Sequence, residues 1–568
     1  MKETIPQTQY AVQLIGPDKL NLNTEKAVYE IGPYQILCKV KAVGLCFSDL
    51  KLLKQFNQHV RKSNIVSGID SEVLKEIPSY KPGDEPTVPG HEAFCEIIAV
   101  GDKVQRHTIG QRVLVQTDYR WLKTAESNSA FGYNIEGGLQ QYVIMDERVI
   151  IDPDHDESFL IPVEKELSAS SMALVEPWAC VESSYVTEER NTVLPDGKLL
   201  VVADPGQEIQ GLAHSFSVEG NPLSITAVCS DAKQVEFLIS TGIKVIPVNT
   251  VDELSNEEFD DIIYWGSIKK TIEVLDDKLA SNGIINIVLC GQTIGADVSV
   301  SVGRTHYGLT RWIGTTGSNA SESYKNIPAN GEIRQGGKVI VISAAGPMGQ
   351  MHTIRLVCSG IKNISVVGTD FDDDRLRSLY EKAEPMAKER GVGLSLVNPQ
   401  KTPVTEKFGY FAIMAPVAPL VAQAVKDSVD GTIINIFAGI PATVKQEIDL
   451  DTYIANRCFM FGTSGSRLVD MKIVLEKVVT GQLETDCSVD AVSGMAGAIE
   501  GIRAVEARAM VGKIIVYPQL KDLPLIPLTN LEKEFPTVFE KTNKGIWTKQ
   551  AEVELLRITM RKDKEGEG

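Results

Sequence analysis

Apolar positions in the first part of the chain occur in short runs that Gly, Pro and Asp turn residues separate, a spacing typical of β-strands. The runs lie at residues 35–43, 93–100, 112–115 and 139–144. Residues 54–88 are polar and punctuated by Pro and Gly, so they are predicted to form a long loop or insertion. The pattern therefore predicts a β-rich domain over residues 1 to about 165.

From residue 168 the pattern changes to helical segments and buried strands. Helical spacing occurs at residues 168–186 and 232–241. Buried strands are predicted at residues 199–203, 225–228, 244–248, 261–265 and 284–289. Strands that alternate with helices predict a parallel sheet with right-handed crossovers.

The same series of patterns then occurs a second time. In chain order, the residues that match are 197–202 with 337–342, 259–264 with 408–413, 282–288 with 430–436, and 311–318 with 458–466. The last pair shares the ending Gly-Thr-x-Gly-Ser. A repeat of this size predicts two tandem Rossmann-like domains that arose by duplication, rather than solenoid units.

One turn in the second copy has the order that a dinucleotide site needs. A β-branched run at residues 339–342 leads into a turn of small residues, then a helix at 351–357 and a second apolar run that ends at Asp370. Small residues let the backbone approach a pyrophosphate, and the helix amides hold its charge. Ala344 stands where the first glycine of the fingerprint is usual. The predicted cofactor-binding residues are Ala344, Gly346, Pro347, Met348, Gly349, Asp370 and Arg375.

The charge at the end of that second run indicates which cofactor binds. Asp370 can accept hydrogen bonds from a ribose 2′-hydroxyl and would repel a 2′-phosphate, so NAD is favoured over NADP. In the first copy, the second strand ends at Cys229 and Ser230 without a carboxylate, and the turn carries Asp204 and Glu208. Negative charge beside a pyrophosphate is unfavourable, so the first copy is predicted to be structural or to hold a different ligand.

Composition narrows the class of protein. The 568 residues are too many for one core and predict two to four domains. The net charge of −18 argues against nucleic acid and anionic membrane as partners. No apolar run reaches a membrane-spanning length. Nine scattered cysteines, without a C-x-x-C pair, favour reduced thiols in a cytoplasmic protein.

Three short clusters could carry chemistry, at residues 44–50, 89–92 and 175–180. They contain Cys46, His91, Glu92 and Glu176, and this set of one thiolate, one imidazole and two carboxylates suits four-coordinate zinc. Taken singly, Cys46 is more often a buried small hydrophobe and His91 a hydrogen-bonded turn residue. The combination therefore carries the prediction of a metal site.

With these motifs followed by the nucleotide turn, the chain resembles the zinc-dependent medium-chain dehydrogenase/reductase family (alcohol, sorbitol and threonine dehydrogenases). The resemblance covers residues of about 25–150, the helix with Glu176 and the Rossmann region through Tyr517. It implies a GroES-like β-rich catalytic domain. Together with the repeat described above, this predicts an α/β plus β fold with two tandem Rossmann-like, doubly wound parallel sheets.

The domains expected on this basis are four. Residues 1–186 form the catalytic domain, completed by about 490–517; residues 187–330 form a degenerate Rossmann-like domain; residues 331–489 bind NAD; and residues 518–568 form a C-terminal helical appendage. The appendage has helical spacing at residues 552–561 and a charged end at 562–568. Its apolar positions Val553, Leu556 and Met560 are predicted to pack on the body or on a partner subunit.

The resemblance also implies roles for the residues of the clusters. One catalytic zinc would be bound by Cys46, His91 and the Glu176 region, with Glu92 an exchangeable ligand or a close neighbour of the ligands. Ser48 would pass the substrate proton outward, and Asp49 would orient His91. The Glu-Pro context of Glu176 resembles the polyol dehydrogenase branch, and Cys180 remains an alternative ligand.

The chain departs from the family pattern at three places, the first being its second Rossmann-like domain, since ordinary members have one. No cysteine lies between residues 116 and 138, where the family's structural-zinc lobe would fall, so a structural zinc is not expected. Lys51 and Leu52 stand where a proton-relay histidine is usual. Lys51 could contact ribose, contact an anionic group on the substrate, or be a solvated lysine on a helix.

The expected activity is a zinc-dependent transfer of hydride between NAD and a secondary alcohol of a sugar, polyol or sugar phosphate. Two rival classes remain: a zinc-free NAD(P)-dependent reductase on the same fold, and a non-catalytic nucleotide- or sugar-binding protein. The expected partners are the small-molecule alcohol or sugar and other copies of the chain, in a homodimer or homotetramer.

Overall fold

The structure, a computed structural model, describes residues 5–566 and the side chains of residues 5–560. The chain forms two compact units, Met1–Glu182 with Ser466–Gly568, and Ser183–Gly465. The side chains of the charged end at 562–568 lie outside the described residues. Among the described residues, no helix combines the length and the apolar character needed to cross a membrane.

The N-terminal part is rich in strands, as its short apolar runs predict. Its strands are β1 (Thr8–Gly16), β2 (Lys19–Ala27), β3 (Gln35–Gly44), β4 (Glu92–Val100), β5 (Arg112–Val115), β6 (Asp118–Lys123), β7 (Asn128–Ala130), β8 (Tyr142–Asp146), β9 (Ile151–Asp152), β10 (Glu157–Ser158) and β11 (Leu160–Pro162). Its helices are α1 (Phe47–Gln55), α2 (Ser71–Lys75), α3 (Glu147–Ile150), α4 (Ala169–Ala173) and α5 (Val175–Val186).

Two of the predictions for this part need correction. The single helix predicted at 168–186 is two helices, α4 and α5, with Leu174 between them. The segment at 54–88, predicted as a loop, also contains the end of α1, the helix α2 and two 3-10 turns. Short helical segments therefore interrupt the loop that the Pro and Gly residues predicted.

The next segment forms a six-stranded parallel sheet. Its strands are β12 (Lys198–Ala203), β13 (Ser224–Cys229), β14 (Val245–Pro247), β15 (Phe259–Trp265), β16 (Leu279–Val288) and β18 (Arg311–Thr315) in the order β14-β13-β12-β15-β16-β18, and the short β17 (Val298–Val300) lies outside it. The helices are α6 (Ala232–Ser240), α7 (Lys269–Lys278), α8 (Val302–Tyr307) and α9 (Ser321–Lys325). This is the strand order 3-2-1-4-5-6 of a Rossmann-like sheet.

A second six-stranded parallel sheet repeats that order. Its strands are β19 (Lys338–Ile342), β20 (Ser365–Thr369), β21 (Gly393–Val397), β22 (Phe408–Ile413), β23 (Ser428–Ile436) and β25 (Phe459–Phe461) in the order β21-β20-β19-β22-β23-β25, with the short β24 (Gln446–Ile448) outside it. The helices are α10 (Pro347–Val357), α11 (Asp373–Arg390), α12 (Pro419–Lys426) and α13 (Leu450–Ala455). The four pairs of matching segments in the sequence fall on strands at the same positions of the two sheets.

The two sheets meet through equivalent parts. The strands β17 and β24 occupy the same place in each copy and pair antiparallel, with Ser299 opposite Glu447. Gly314 in β18 lies against Ile454 of α13, where a Cβ would come within 2.7 Å of Ile454 Cγ1. The apolar cores of both copies form one continuous cluster. The contact is therefore isologous, in the manner of a twofold interface, although both halves belong to one chain.

The C-terminal part returns to the first unit. It comprises α14 (Leu468–Val479), β26 (Val489–Ser493), α15 (Met495–Glu506), β27 (Lys513–Val516), β28 (Ile526–Pro527), α16 (Leu531–Glu534), α17 (Pro536–Phe539) and α18 (Lys549–Gly566). The strand β27 pairs with β3 and completes an eight-stranded sheet, in the order β11-β5-β4-β3-β27-β26-β28 with β8 also on β3. The helix α14, which we expected in the NAD-binding domain, belongs to this unit.

The helix α18 buries a different face from the one its apolar positions predict. Val553 is 54% and Met560 41% exposed. Ala551, Glu552 and Leu555 are buried instead. In this chain Val553 and Met560 are therefore not packed on the body and Leu556 is partly buried, and packing of this face on a partner subunit stays a prediction.

Candidate active site

The loop after β3 positions a thiol and a carboxylate. Cys46 is the N-cap residue of α1, and its backbone N–H donates to Asp49 Oδ2 at 3.2 Å. The other oxygen of this carboxylate, Oδ1, lies 2.9 Å from His91 Nδ1. Asp49 thus holds both segments in place, as a carboxylate does beside a metal-binding histidine.

His91 enters this site directly after a turn at Gly90, just before β4. Gly90 has φ +94°, and a Cβ there would come within 2.8 Å of Leu139 Cγ, so the position requires glycine. Burial opposes a charge on His91, but Asp49 reverses this effect and raises the pKa of the imidazole well above its ordinary value. The ring is therefore fixed and electrostatically coupled to Asp49.

Three potential ligand atoms converge. One atom each of Cys46, His91 and Glu92 lies within 4.8 Å of the others. Zinc bonds of about 2.0–2.3 Å place tetrahedral ligands about 3.3–3.8 Å apart, so small side-chain shifts would suffice to bind zinc. The Ser48 hydroxyl lies 3.1 Å from Cys46 Sγ and 3.2 Å from His91 Nε2.

The carboxylate of Glu92 lies in a closely packed, buried space. It is fully buried, and Lys513 Nζ of β27 lies 2.5 Å from its Oε1. Its other oxygen, Oε2, is a buried acceptor without a hydrogen-bond partner. A Cβ on Gly44 would come within 2.1 Å of that oxygen. The unsatisfied Oε2 beside a thiol and an imidazole is the donor set that a cation would satisfy.

Glu176, in the first turn of α5, lies outside that group of three. Burial raises its pKa to about 7; His91 opposes the rise and Glu92 adds to it. Cys180 follows one helical turn later, with its Sγ 3.7 Å from Glu176 Oε1. Both therefore border the candidate metal site, and the choice between Glu92, Glu176 and Cys180 as the further ligand stays a prediction.

One wall of the site consists of residues that the sequence analysis missed. The ring of Tyr133 lies 5.9 Å from that of His91 and 5.1 Å from that of His59. The Arg61 guanidinium lies 5.7 Å from the same ring and is paired with Asp118. His59 and Arg61 lie in the segment predicted as a loop, where no motif marks them.

The nucleotide turn has the predicted local geometry. Gly346 is the N-cap residue of α10, with Pro347 in its first turn, and a Cβ on Gly349 would come within 2.2 Å of Ser343 O. The Ala345 backbone N–H donates to Asp370 Oδ2 at 3.2 Å, so the acidic residue lies at the turn. Arg375 lies farther on, in the first turn of α11, where it pairs with Asp372.

The first copy lacks the corresponding helix. Between β12 and β13 the described chain forms only the 3-10 turn Ala213–Ser215. Asp204 accepts a hydrogen bond of 2.8 Å from Tyr264, and Gln234 donates to the carbonyls of Asp204 and Gln207. Without a helix N-terminus, this turn offers no amide cluster for a pyrophosphate.

A known family model matches the β-rich part of the chain. Residues 32–154 match the alcohol dehydrogenase GroES-like domain. The chain therefore combines a GroES-like domain with two Rossmann-like sheets, which confirms the fold class predicted from the sequence.

Among curated proteins, the chain is 25% identical over 330 residues to the uncharacterized protein YggP of Escherichia coli (strain K12), covering 52% of this chain and 70% of that protein. It is 30% identical over 251 residues to the mannitol-1-phosphate 5-dehydrogenase of Aliivibrio fischeri, covering 40% of this chain and 58% of that protein. It is 24% identical over 344 residues to the L-sorbose 1-phosphate reductase of Klebsiella pneumoniae, covering 56% of this chain and 77% of that protein.

A solved structure shows the same fold. The 2R,3R-butanediol dehydrogenase of Bacillus subtilis aligns with a TM-score of 0.50 and 15% identity, over 90% of this chain and all of that chain. At this identity the likeness concerns the fold alone.

Proposed function

We propose that the chain is an oxidoreductase of the zinc-dependent medium-chain dehydrogenase/reductase family, which transfers a hydride between NAD and a secondary alcohol of a sugar, polyol or sugar phosphate. The observation that carries the proposal is the convergence of Cys46, His91 and Glu92, with Ser48 touching two of them. The relatives named as sugar-phosphate dehydrogenase and reductase support it.

The residues of the site fit the two groups that this chemistry needs. Cys46 and His91, with Glu92 or Glu176, would hold the zinc, and the turn at Gly346 with Asp370 would hold NAD. When bound, zinc supplies Lewis acidity that lowers the pKa of a substrate hydroxyl, and NAD accepts the hydride.

Ser48 and Asp49 would act on the proton and on the geometry. The Ser48 hydroxyl lies against Cys46 Sγ and His91 Nε2, so it is placed to take the substrate proton and pass it outward. Asp49 binds Nδ1 of His91, which leaves Nε2 as the atom directed into the site. Asp49 is thus a positioning residue.

Metal analysis and a substrate screen test the proposal. We expect about one zinc per chain, NAD reduction with sugars, polyols or their phosphates, and loss of both metal and activity in Cys46→Ala. The matched control is Cys229→Ala, a partly buried thiol in the first Rossmann-like copy. Activity that survives complete zinc removal would indicate the zinc-free reductase. NAD binding without turnover on the whole panel would indicate the binding protein.

A further inference from the structure

Lys62 carries a buried charge that backbone carbonyls hold in place. The side chain is fully buried, and its ammonium donates to the carbonyls of Lys81, of Gly83 at 3.1 Å and of Glu85 at 2.9 Å. Among the described residues, no carboxylate forms an ion pair with it. A lysine is rarely buried unless its charge is paired, so these carbonyls take the place of a counter-ion.

The three carbonyls form a cage that suits a small cation. An ammonium has three N–H donors, so each carbonyl can receive one of them. No other described residue donates a hydrogen bond to these carbonyls. Burial lowers the pKa of Lys62 to about 8, although Glu85 and Asp84 oppose this effect, so the side chain is mainly an ammonium at pH 7. The hydrogen bonds of the cage are therefore complete only when a cation occupies it.

The cage joins two segments of the chain. Lys62 ends the 3-10 turn Val60–Lys62, and its own backbone carbonyl accepts the N–H of Gly83 at 2.7 Å. Within the first segment, His59 Nδ1 accepts the N–H of Arg61 at 3.2 Å, and the His59 carbonyl accepts the N–H of Lys62 at 2.8 Å. Residues 59–62 and 81–85 are therefore linked through both the side chain and the backbone of one lysine.

Both segments reach the wall of the active site that Tyr133 forms. In the first segment, the His59 ring lies 5.1 Å and the Arg61 guanidinium 5.7 Å from the Tyr133 ring. In the second segment, the Lys81 N–H donates at 2.7 Å to the carbonyl of Asn134, the residue after Tyr133. The cage thus couples the two side chains that pack on this ring to the backbone that carries the ring.

We infer that Lys62 is a positioning residue, whose ammonium takes the place of a bound cation in the carbonyl cage and fixes His59 and Arg61 against the Tyr133 wall. This wall borders the candidate metal site, because the Tyr133 ring lies 5.9 Å from that of His91. Lys62 is fully buried, so it acts on the site through these neighbours. That the wall receives the alcohol rests on the proposed function.

Hydrogen exchange and chemical rescue test the cage without requiring turnover. Lys62→Ala should lower the protection of the amides of residues 61, 62 and 83 at least about 10-fold at pH 7, because three carbonyls lose their donor. n-Propylammonium replaces the atoms that the substitution removes, so it should restore most of that protection. Tetramethylammonium has the charge but no N–H donor and should not restore it.

Lys278→Ala is the matched control. Lys278 is also a buried lysine, which donates to the carbonyl of Leu254 at 2.6 Å and to Asn256 Oδ1 at 2.8 Å, but it belongs to the other unit. Its substitution also removes a buried ammonium from its acceptors. The protection of residues 61, 62 and 83 should nevertheless stay at the wild-type value.

Kinetics test the effect on the active site. With the zinc-loaded full-length protein and the alcohol that the wild type oxidises fastest, Lys62→Ala should raise KM at least about 10-fold and change kcat less than about 3-fold. The zinc content should stay the same, and n-propylammonium should lower KM again. A merely structural role would reduce the amount of folded enzyme, which lowers the apparent kcat and leaves KM unchanged.

The outcomes separate this inference from the proposed function. If no alcohol is oxidised, the proposed function fails, and the loss and rescue of amide protection decide whether Lys62 holds the wall. Protection that Lys62→Ala keeps, or an active Lys62→Ala enzyme with the wild-type KM, would overturn the inference. Should Lys62→Ala fail to fold, Lys62→Met keeps the length of the side chain without its donors and carries both measurements.

Discussion

The pairing of Lys513 with Glu92 links strand β27 of the GroES-like sheet to the candidate metal site. Both side chains are buried, at 6% and 0% exposure, so each charge depends on the other. Removing one partner of a buried pair leaves an uncompensated charge, which costs about 3–5 kcal/mol.

Lys513→Met should therefore destabilise the metal-free protein by about 3–5 kcal/mol, whereas Lys513→Arg should keep most of the stability because the charge remains. Urea unfolding in the presence of a chelator measures the difference. A metal-free Lys513→Met protein as stable as the wild type would show that Glu92 is protonated or otherwise compensated.

Single residues of the site were predictable where a short motif carries them. Cys46, Ser48, Asp49, His91 and Glu92 stand within a few positions of one another in two motifs, and the structure brings them together. Lys513 reaches Glu92 across 421 positions, and Arg61 and Tyr133 come from segments without a motif. Contacts of that kind depend on the tertiary fold, which the local pattern of residues does not encode.

At the scale of elements, the proposed preference for NAD rests on the turn from β19 to α10. The Asp370 carboxylate accepts backbone N–H groups from Ala345, Phe371 and Asp372, so it is fixed at the end of β20. A fixed negative charge there would repel a 2′-phosphate.

Asp370→Asn should raise the affinity for NADPH relative to NADH by at least about 10-fold, since the charge is removed while the shape is kept. Fluorescence titration with the two reduced cofactors measures this ratio without requiring turnover. Asp374→Asn, four residues later on α11, is the matched control. A ratio that does not change in Asp370→Asn would mean that this carboxylate does not face the ribose.

The docking of α18 depends on a second carboxylate. Glu552 accepts the backbone N–H groups of Ala169 and Ser170 and thereby caps α4. Asp486 binds the hydroxyls of Ser168 and Ser170 beside it, and burial, with Glu552 adding to it, raises the pKa of Asp486 to about 7.

Because the unfolded pKa of Asp486 is near 3.8, the folded state binds more protons between about pH 4 and 7, and stability falls as pH rises through that window. We expect the amides of α18 to lose about 2–4 kcal/mol of protection against hydrogen exchange between pH 4.5 and 7.5. Asp486→Asn should abolish most of this slope, and the exposed Asp522→Asn should not. An unchanged slope in Asp486→Asn would assign the effect to another group.

Most elements were predictable because their apolar spacing is regular. The strands β3, β5 and β12 begin and end within one residue of the predicted positions. In α18 the face that packs on the body includes the hydrogen-bonded Glu552, whereas Val553 and Met560 stay exposed in this chain, so apolar spacing alone did not indicate which face is buried. The apolar spacing of the sequence did not indicate that a helix is missing after β12. The charged residues of that turn were the sequence feature that set it apart.

At the scale of the whole molecule, the order of the two parallel sheets follows the repeat in the sequence. The matched segments became β12 and β19, β15 and β22, β16 and β23, and β18 and β25. The pairing of β17 with β24 had no sequence signal, because strands of three residues carry too few positions to show a period. That the likeness arose by duplication stays an interpretation.

If the chain forms the expected homo-oligomer, we expect its interface to leave the pairing of β17 with β24 within the chain intact. The backbone groups of β17 and β24 that face each other pair within the chain, so dilution should not expose them. Hydrogen exchange of residues 298–300 and 446–448 should be the same at micromolar and nanomolar protein, while light scattering or mass photometry follows the oligomeric state. Protection that disappears on dissociation would show that a second chain contributes to this contact.

The antiparallel pair of β17 and β24 has a genetic consequence. In an assembly of identical subunits, every substitution at a twofold interface appears on both sides at once. A mutation must therefore be compatible with the contact from both sides. Here Val298-Ser-Val300 and Gln446-Glu-Ile448 are encoded separately, and each side can mutate alone. The first Rossmann-like copy could therefore lose the helix that would bind a phosphate and still keep its side of the β17–β24 contact. The second copy could keep the residues that are proposed to bind the nucleotide.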